Sequence, residues 1–334
     1  MSYIQLSREA FNNNASYYTK KLGNINKLCI ALKDNAYGHG IKNIAQLSSE
    51  FGIKHCLVRN IYEANMIENY NFESILVLYD KSNEKQNNNI IFSINSIDDL
   101  KFFNTSAKIE LKIDTGMSRN GIQIHEINEA IKIIKQKSLT LNGVFTHFHS
   151  ADENNDSYKN QENIFLESIK QINLQINTKF RIHCSNSAGV NKIDNLKYDM
   201  ARIGIGMYGY NEISQEYLMP VMSLYASLIS TRVLNKDDCI GYGASYKIKQ
   251  DKTLISNYDI GYGDGFFRIN ENQKAYIQNK KQILGRVSMD SFSVFGDDKK
   301  ICVFNNASHL AKVHNTIEYE ILTHLMPHLK RIII

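Results

Sequence analysis

Eight short apolar runs recur along the first two-thirds of the chain, and they limit its fold more than any other feature. They are Leu28 to Lys33, His55 to Val58, Ile75 to Tyr79, Ile90 to Ile94, Ile109 to Ile113, Gly143 to His147, Phe180 to Cys184 and Ile203 to Met207. The runs are rich in β-branched residues and lack polar alternation, as strands buried on both faces do. Between several of them apolar residues return at helical spacing. Phe11, Ala15, Tyr18 and Leu22 form one stripe, with Gly23 placed to end the helix; Ile127, Ala130, Ile131 and Ile134 form a second, and Phe165, Ile169, Ile172 and Ile176 a third. The helical signal is weak between the third and fourth runs. Strands alternating with helices pair in parallel, and eight such units predict an α/β protein built on a closed (β/α)8 TIM barrel.

After about residue 212 the pattern changes. Met222 to Leu234, Thr253 to Tyr258, Ala275 to Gln278, Gln282 to Phe295 and Lys300 to Phe304 read as strands separated by turn residues, with one helical segment from Thr316 to Leu325. The expected division is therefore a barrel over 1–212 and a C-terminal, mainly-β domain over 213–334. A chain of 334 residues is long enough for two such cores.

Composition narrows the function classes. Hydrophobic residues make up 43% and charged ones 22%, and the net charge of +5 is not gathered into one tract, which argues against a nucleic-acid or membrane surface. The N-terminal residues Met1 to Leu6 lack a basic region followed by an apolar run, and no stretch approaches the ~18 apolar residues of a membrane span, so a cytoplasmic location is expected. Cys29, Cys56, Cys184, Cys239 and Cys302 are odd in number and free of CxxC spacing. That pattern speaks for buried free thiols, and against a disulfide framework or a metal site.

The strongest local signal is Lys33-Asp34-Asn35-Ala36-Tyr37-Gly38-His39-Gly40, directly after the first predicted barrel strand. That strand end opens onto the face where catalytic groups of such barrels sit. Lys33 has two readings: a stem that carries its charge out to water, or a Schiff-base lysine made nucleophilic by partial desolvation.

Lys33 to Gly40 is similar to the cofactor-lysine motif of the alanine racemases. Further blocks follow in that family's order: Lys112 to Gly121, Thr146 to Glu153, His183 to Ala188, Arg202 to Gly209, Gly241 to Tyr246, Gly261 to Gly265 and Gly285 to Asp290. Together they span most of the chain. The resemblance implies a pyridoxal 5′-phosphate-dependent isomerase that interconverts L-alanine and D-alanine and supplies D-alanine for peptidoglycan. It implies that Lys33 holds the cofactor, that Tyr37, Ser187 and the backbone amides of Gly204 and Ile205 bind its phosphate, and that Arg202 faces its ring nitrogen. A hydroxyl and a glycine-flanked backbone suit an anion, although Ser187 taken alone would serve equally as a helix cap. Guanidinium cannot take a proton from the ring, so the cofactor would be a restrained electron sink, favouring proton exchange over transamination.

Racemisation needs an acid/base group on each side of Cα. The resemblance assigns one side to Lys33 and the other to Tyr246, which would come from the partner subunit of a homodimer with shared sites, along with Tyr262 and Met289 as substrate contacts. His147 would lie against the ring, and Arg119 would reach the substrate carboxylate. Lys112 would be carbamylated to orient Arg119; an unmodified lysine in a solvated salt bridge is the other reading. Without the family, His147 reads as a strand-end histidine and Tyr246 as one packed tyrosine among 19.

Two departures stand out. Asp34 occupies a position usually held by alanine, and Pro327 occupies the place of a tyrosine expected near the phosphate. The alternatives are a broader serine and alanine racemase, a decarboxylase of the same architecture, and a non-catalytic carrier of the cofactor.

Overall fold

A computed structural model describes the chain except for residues 105, 212 and 270–272. The chain divides into two compact units. One comprises Phe11–Ala36 with Ile44–Met219; the other comprises Met1–Ala10, Tyr37–Asn43 and Pro220–Ile334. The division is thus not a single cut: two N-terminal segments belong to the β unit, and residue 212, where the cut was expected, lies outside the described residues.

Strand β1 (Tyr3–Leu6) belongs to the β unit. The barrel unit is built from β2 (Leu28–Ala31), β3 (His55–Val58), β4 (Ser74–Val77), β5 (Ile90–Ile94), β6 (Lys108–Lys112), β7 (Thr140–Phe145), β8 (Arg181–His183) and β9 (Ala201–Ile203). All pair in parallel in the order β8-β7-β6-β5-β4-β3-β2-β9. The sheet is a nearly closed barrel, and its two end strands are tied by backbone bonds from Asp199 N to Ile182 O (2.9 Å) and from Arg202 N to Ser185 O (2.9 Å). The predicted α/β barrel is therefore the fold of this unit.

Two of the helical stripes behave as read; in the third, Phe165, Ile169 and Ile172 are buried on the helix Ser157–Asn173, but Ile176 lies beyond its end and is only half-buried. Phe11, Ala15, Tyr18 and Leu22 are buried on the helix Arg8–Leu22, and Gly23 (φ +74°) ends it in the left-handed region. Between β4 and β5 no helix forms among the described residues. The eighth run differs from expectation: the strand is Ala201–Ile203, and Ile205–Tyr208 is a 3₁₀ turn. Gly204 (φ −98°, ψ −107°) leaves the extended region and stops the strand. Tightness fixes the next glycine, since a Cβ on Gly206 would lie 2.0 Å from Tyr18 Oη.

In the β unit, the long strand β10 (Met222–Leu234) is the hub. The other members are β11 (Cys239–Ile240), β12 (Tyr246–Lys247), β13 (Thr253–Tyr258), β14 (Ile283–Leu284), β15 (Phe292–Phe295), β16 (Lys300–Phe304) and β17 (Lys330–Ile333). Strand β10 carries β1 and β16 on one half and β13 on the other, while β11 and β12 form a separate hairpin. The expected strand from Gln282 to Phe295 is broken, because Gly285 (φ +69°) turns the chain and Ser288 N bonds back to Ser291 O at 2.8 Å. Ala275 to Gln278 is reduced to a single bridge, Tyr276 with Gln282. Not all thiols are buried as expected: Cys29, Cys56 and Cys184 are, whereas Cys239 is exposed on the hairpin and Cys302 is partly so. Among the described residues no helix is long and apolar enough to cross a membrane.

Candidate active site

Lys33 follows β2 at its C-terminal end, and its side chain is 31% exposed. The next four residues, Asp34, Asn35, Ala36 and Tyr37, all hold φ between 53° and 55°, a single left-handed turn. Each such residue costs roughly 1–2 kcal/mol, so the turn persists only because its surroundings hold it. Glu63 is one support: Oε1 accepts from Asn35 N at 3.0 Å and Oε2 from Arg59 N at 2.8 Å. Ala36 N donates to Leu32 O at 2.8 Å. Asp34 lies 3.4 Å from Lys33 Nζ and 3.1 Å from Arg59 Nη1, so the unexpected carboxylate is a partner of the lysine.

Arg202 sits in the middle of β9 and is 6% exposed. Its Nη2 donates to Thr146 O (2.5 Å) and Cys184 O (3.3 Å), and its Nη1 to His183 O (3.2 Å) and His183 Nδ1 (2.8 Å). The guanidinium also lies 4.9 Å from the centroid of the Phe145 ring. Every hydrogen bond it makes among the described residues runs through Nη1 or Nη2, so Nε–H is the donor left for a ligand.

His183 in turn meets Glu110, with Nε2 at 2.9 Å from Oε2, and Arg181 Nη2 donates to Glu110 Oε1 at 2.8 Å. Burial alone would raise the Glu110 carboxyl, but His183, Arg181 and Arg202 hold it down at about 2. Burial lowers His183, against the pull of Glu110. None of these three residues behind Arg202 was singled out from sequence. The signal was period two: Glu110 shares a strand face with Lys112, and Arg181 shares one with His183.

The other barrel candidates gather at the same strand ends. Burial first, then the charges of Arg202, Lys112, Arg119 and Lys33, push the His147 imidazole down to about 3, so it is neutral at neutral pH. Lys112, 6% exposed, is lowered to about 8 by burial and by Arg119 and Arg202, with Asp114 opposing. Arg119 is exposed on a loop shaped by Asp114, whose Oδ1 accepts from Gly116 N and Ser118 N at 3.0 Å each. Gly121 is required there: its φ is +130°, and a Cβ would lie 2.6 Å from Asp114 N.

Ser187 Oγ accepts from Gly204 N at 3.1 Å and Gly206 N at 3.2 Å. A hydroxyl and the amides flanking Ile205 thus converge just past β9, and Gly204 leaves that strand instead of entering it as expected. A half-buried lysine, a converging hydroxyl and amides, and a guanidinium with Nε–H to spare suit an aldehyde bearing a phosphate and a ring nitrogen.

The remaining candidates lie in the β unit. Tyr37 is 7% exposed, and its ring is 5.7 Å from that of Tyr319. Gly38 just after it bonds through its carbonyl to Arg331 Nε (3.0 Å) and Nη2 (2.8 Å). A tyrosine therefore does stand beside Tyr37. It is Tyr319, in the helix Glu318–His324, while Pro327 only lends its carbonyl to Arg331. Tyr246 starts β12 and packs edge-on to Phe295 at 6.1 Å, beside the cluster of Ile240, Ile248, Ile255 and Leu284. Tyr262 (43% exposed) and Met289 (54% exposed) are joined by bonds from Tyr262 N to Ser288 O and from Gly263 N to Met289 O.

Comparison with known proteins agrees with this geometry. Residues 6–212 match the family model "Alanine racemase, N-terminal domain", and residues 221–333 match "Alanine racemase, C-terminal domain". Among curated relatives, the alanine racemase of a Nitratiruptor species is 40% identical over 342 residues, covering 99% of both chains. That of Campylobacter curvus is 40% identical over 337 residues, again covering 99% of each. Among solved structures, the alanine racemase of Clostridium difficile 630 superposes with a TM-score of 0.90 at 25% identity, covering 100% of this chain and 95% of that one.

Proposed function

The chain belongs to the alanine racemase family of isomerases, and on that premise we propose that it interconverts L-alanine and D-alanine by a two-base mechanism. The family depends on pyridoxal 5′-phosphate, which when bound withdraws electrons from an attached amino acid and so makes its Cα–H acidic. Lys33 would hold this group, and its free amine would move a proton at Cα from one side. Tyr246 from the partner subunit of a homodimer serves the opposite side. A phenol with a reference pKa of about 10 needs nearby cations and hydrogen bonds to act as a base, and Arg202 is the cation proposed for it. His147, held neutral by burial and by its cationic neighbours, links the two without adding charge.

Arg202 would offer Nε–H to the ring nitrogen and, being permanently cationic, would leave that nitrogen unprotonated. Ser187, Tyr37 and the amides of Gly204 and Ile205 bind the phosphate. Arg119 and Met289 contact the substrate carboxylate, and Tyr262 lines its entry. The proposed setting is cytoplasmic, with D-alanine passed to peptidoglycan. Lys112, lowered to about 8, offers far more of the neutral amine that carbamylation by carbon dioxide requires than an ordinary lysine does, and the resulting anion orients Arg119.

The observation that carries this reading is the position of Lys33, at the end of a barrel strand and close enough that its charge and that of the buried Arg202 both act on His147. The test is a panel of L-amino acids, serine included, incubated with the purified protein and pyridoxal 5′-phosphate. D-alanine from L-alanine is the expected product. Carbon dioxide and an amine would reveal a decarboxylase, and no turnover with cofactor bound would reveal a carrier.

A further inference from the structure

Among the described residues Glu110 is the only carboxylate with no exposed surface. The strand opposite makes room for it: Glu110 pairs in register with Gly143, and a Cβ on Gly143 would lie 2.9 Å from Glu110 Cδ and Oε1. Gly143 has an ordinary φ, so the absent side chain serves to admit the carboxylate. Both carboxylate oxygens are used, one by Arg181 and one by His183. Arg181 is held from its other side, with Nη1 donating to Ser74 Oγ at 3.0 Å. A polar column therefore crosses the barrel interior, from Ser74 through Arg181, Glu110 and His183 to Arg202.

The chemistry of this column permits one protonation pattern. Arginine has no acceptor, so in the Arg202–His183 bond Nη1 donates and Nδ1 accepts. The imidazole is then neutral with its proton on Nε2, and that proton goes to Glu110. We propose that Glu110 is a positioning residue for Arg202: its carboxylate takes the Nε2 proton of His183, fixes the ring, and leaves Nδ1 as the acceptor that pins the guanidinium. Arg181 is the counter-ion that completes the carboxylate's bonds. The column aims Nε–H of Arg202, and its importance to catalysis rests on the reading that Arg202 faces the cofactor ring.

A substitution by glutamine discriminates sharply. Its amide has one oxygen, while Arg181 and His183 both only donate toward it. Histidine-labelled, cofactor-free protein is examined by nitrogen-15 NMR, with His183→Gln identifying the signal. The wild type should show His183 protonated at Nε2 and unprotonated at Nδ1 at pH 7. Glu110→Gln should abolish that bonded Nε2 proton, and in the loaded enzyme it should lower kcat about tenfold, the scale of one buried bond lost. The absorbance of Lys33-bound cofactor should remain. Adding Arg181→Met to Glu110→Gln frees the amide oxygen for His183 and should recover both the proton signal and most of kcat.

An imidazolium or Nδ1–H form in the wild type overturns the proposal without need of any variant. So does an unchanged Nε2 proton in Glu110→Gln, or a double variant no better than the single one. If the wild type fails to racemise alanine while His183 shows the expected form, the functional reading fails and the geometry of the column stands.

Discussion

The two units hold most of their candidate residues in opposite ways, the exceptions being exposed Arg119 in the barrel and buried Tyr37 in the β unit. In the barrel, Arg202, Lys112, Ser187, His183 and Glu110 are all buried, and the charges among them shift one another. In the β unit, Tyr262 and Met289 are 43% and 54% exposed, and Tyr246 is only partly covered by its neighbours. A buried, mutually bonded set is preorganised before any ligand arrives, since its dipoles and charges need not reorganise during reaction. An exposed set becomes a site only when something covers it. Under the proposed function the barrel fixes electrostatics and the β unit supplies groups to another chain.

The largest effects should come from breaking either side of that division. Lys33→Ala and Tyr246→Phe should each lower kcat/KM by roughly 10²–10⁴-fold, the range for loss of one acid/base group. Isotope exchange at Cα should show Tyr246→Phe suffering more with L-alanine than with D-alanine; an equal loss would argue for a single base. Mixing the two inactive variants sharpens the comparison. If the residues meet across subunits, random reassortment puts one intact site in half of the dimers, and about a quarter of wild-type activity should return. If they meet within one chain, mixing recovers nothing.

A smaller effect is expected at Lys112. Rigorous removal of carbon dioxide and bicarbonate should raise KM for alanine by roughly tenfold, the scale of one charge-assisted hydrogen bond. Retention of the carbamate, followed by carbon-13 NMR, should improve as pH rises through about 8, where the amine loses its proton. The same KM with and without carbon dioxide would leave Lys112 as an ordinary buried lysine.

The smallest effect is on stability. His147 is held down at about 3 and His55 at about 4, whereas both would protonate near 6.5 in the unfolded chain. Between those values the unfolded state binds more protons, so stability is present above pH 6.5 and is lost as pH falls below it. Glu110, depressed to about 2, loses its contribution in the same direction at lower pH. The urea midpoint should therefore drop between about pH 7 and about pH 5. His147→Asn should flatten that drop by up to about 1.4 kcal/mol per pH unit; an identical slope would mean that His147 protonates in the folded chain.

Legibility followed the scale of each signal. The barrel strands were readable because strands buried on both faces lose polar alternation, and Gly23 marked a helix end because of its conformational freedom. The eighth strand starts two residues before the apolar run that announces it, since Ile203 to Met207 is as apolar as a strand and only the backbone of Gly204 shows where the strand stops. The network behind Arg202 was missed for a different reason. Glu110 lies far in sequence from Arg181 and His183, and nothing local says that Gly143 is small in order to admit a carboxylate. Tyr319 was missed because its partnership with Tyr37 joins residues at opposite ends of the chain.

By itself the sequence determined the alternation of strands and helices, the position of Lys33 at a strand end, and the blocks that mark the family. These are properties of neighbouring residues, decided by side-chain period and backbone propensity. Only the tertiary structure decided that the first strand joins the C-terminal sheet, that four residues after Lys33 turn left-handed, and that a buried carboxylate stands behind Arg202. Those outcomes depend on contacts between distant segments, where burial strengthens each charge and leaves a buried polar group few acceptable partners.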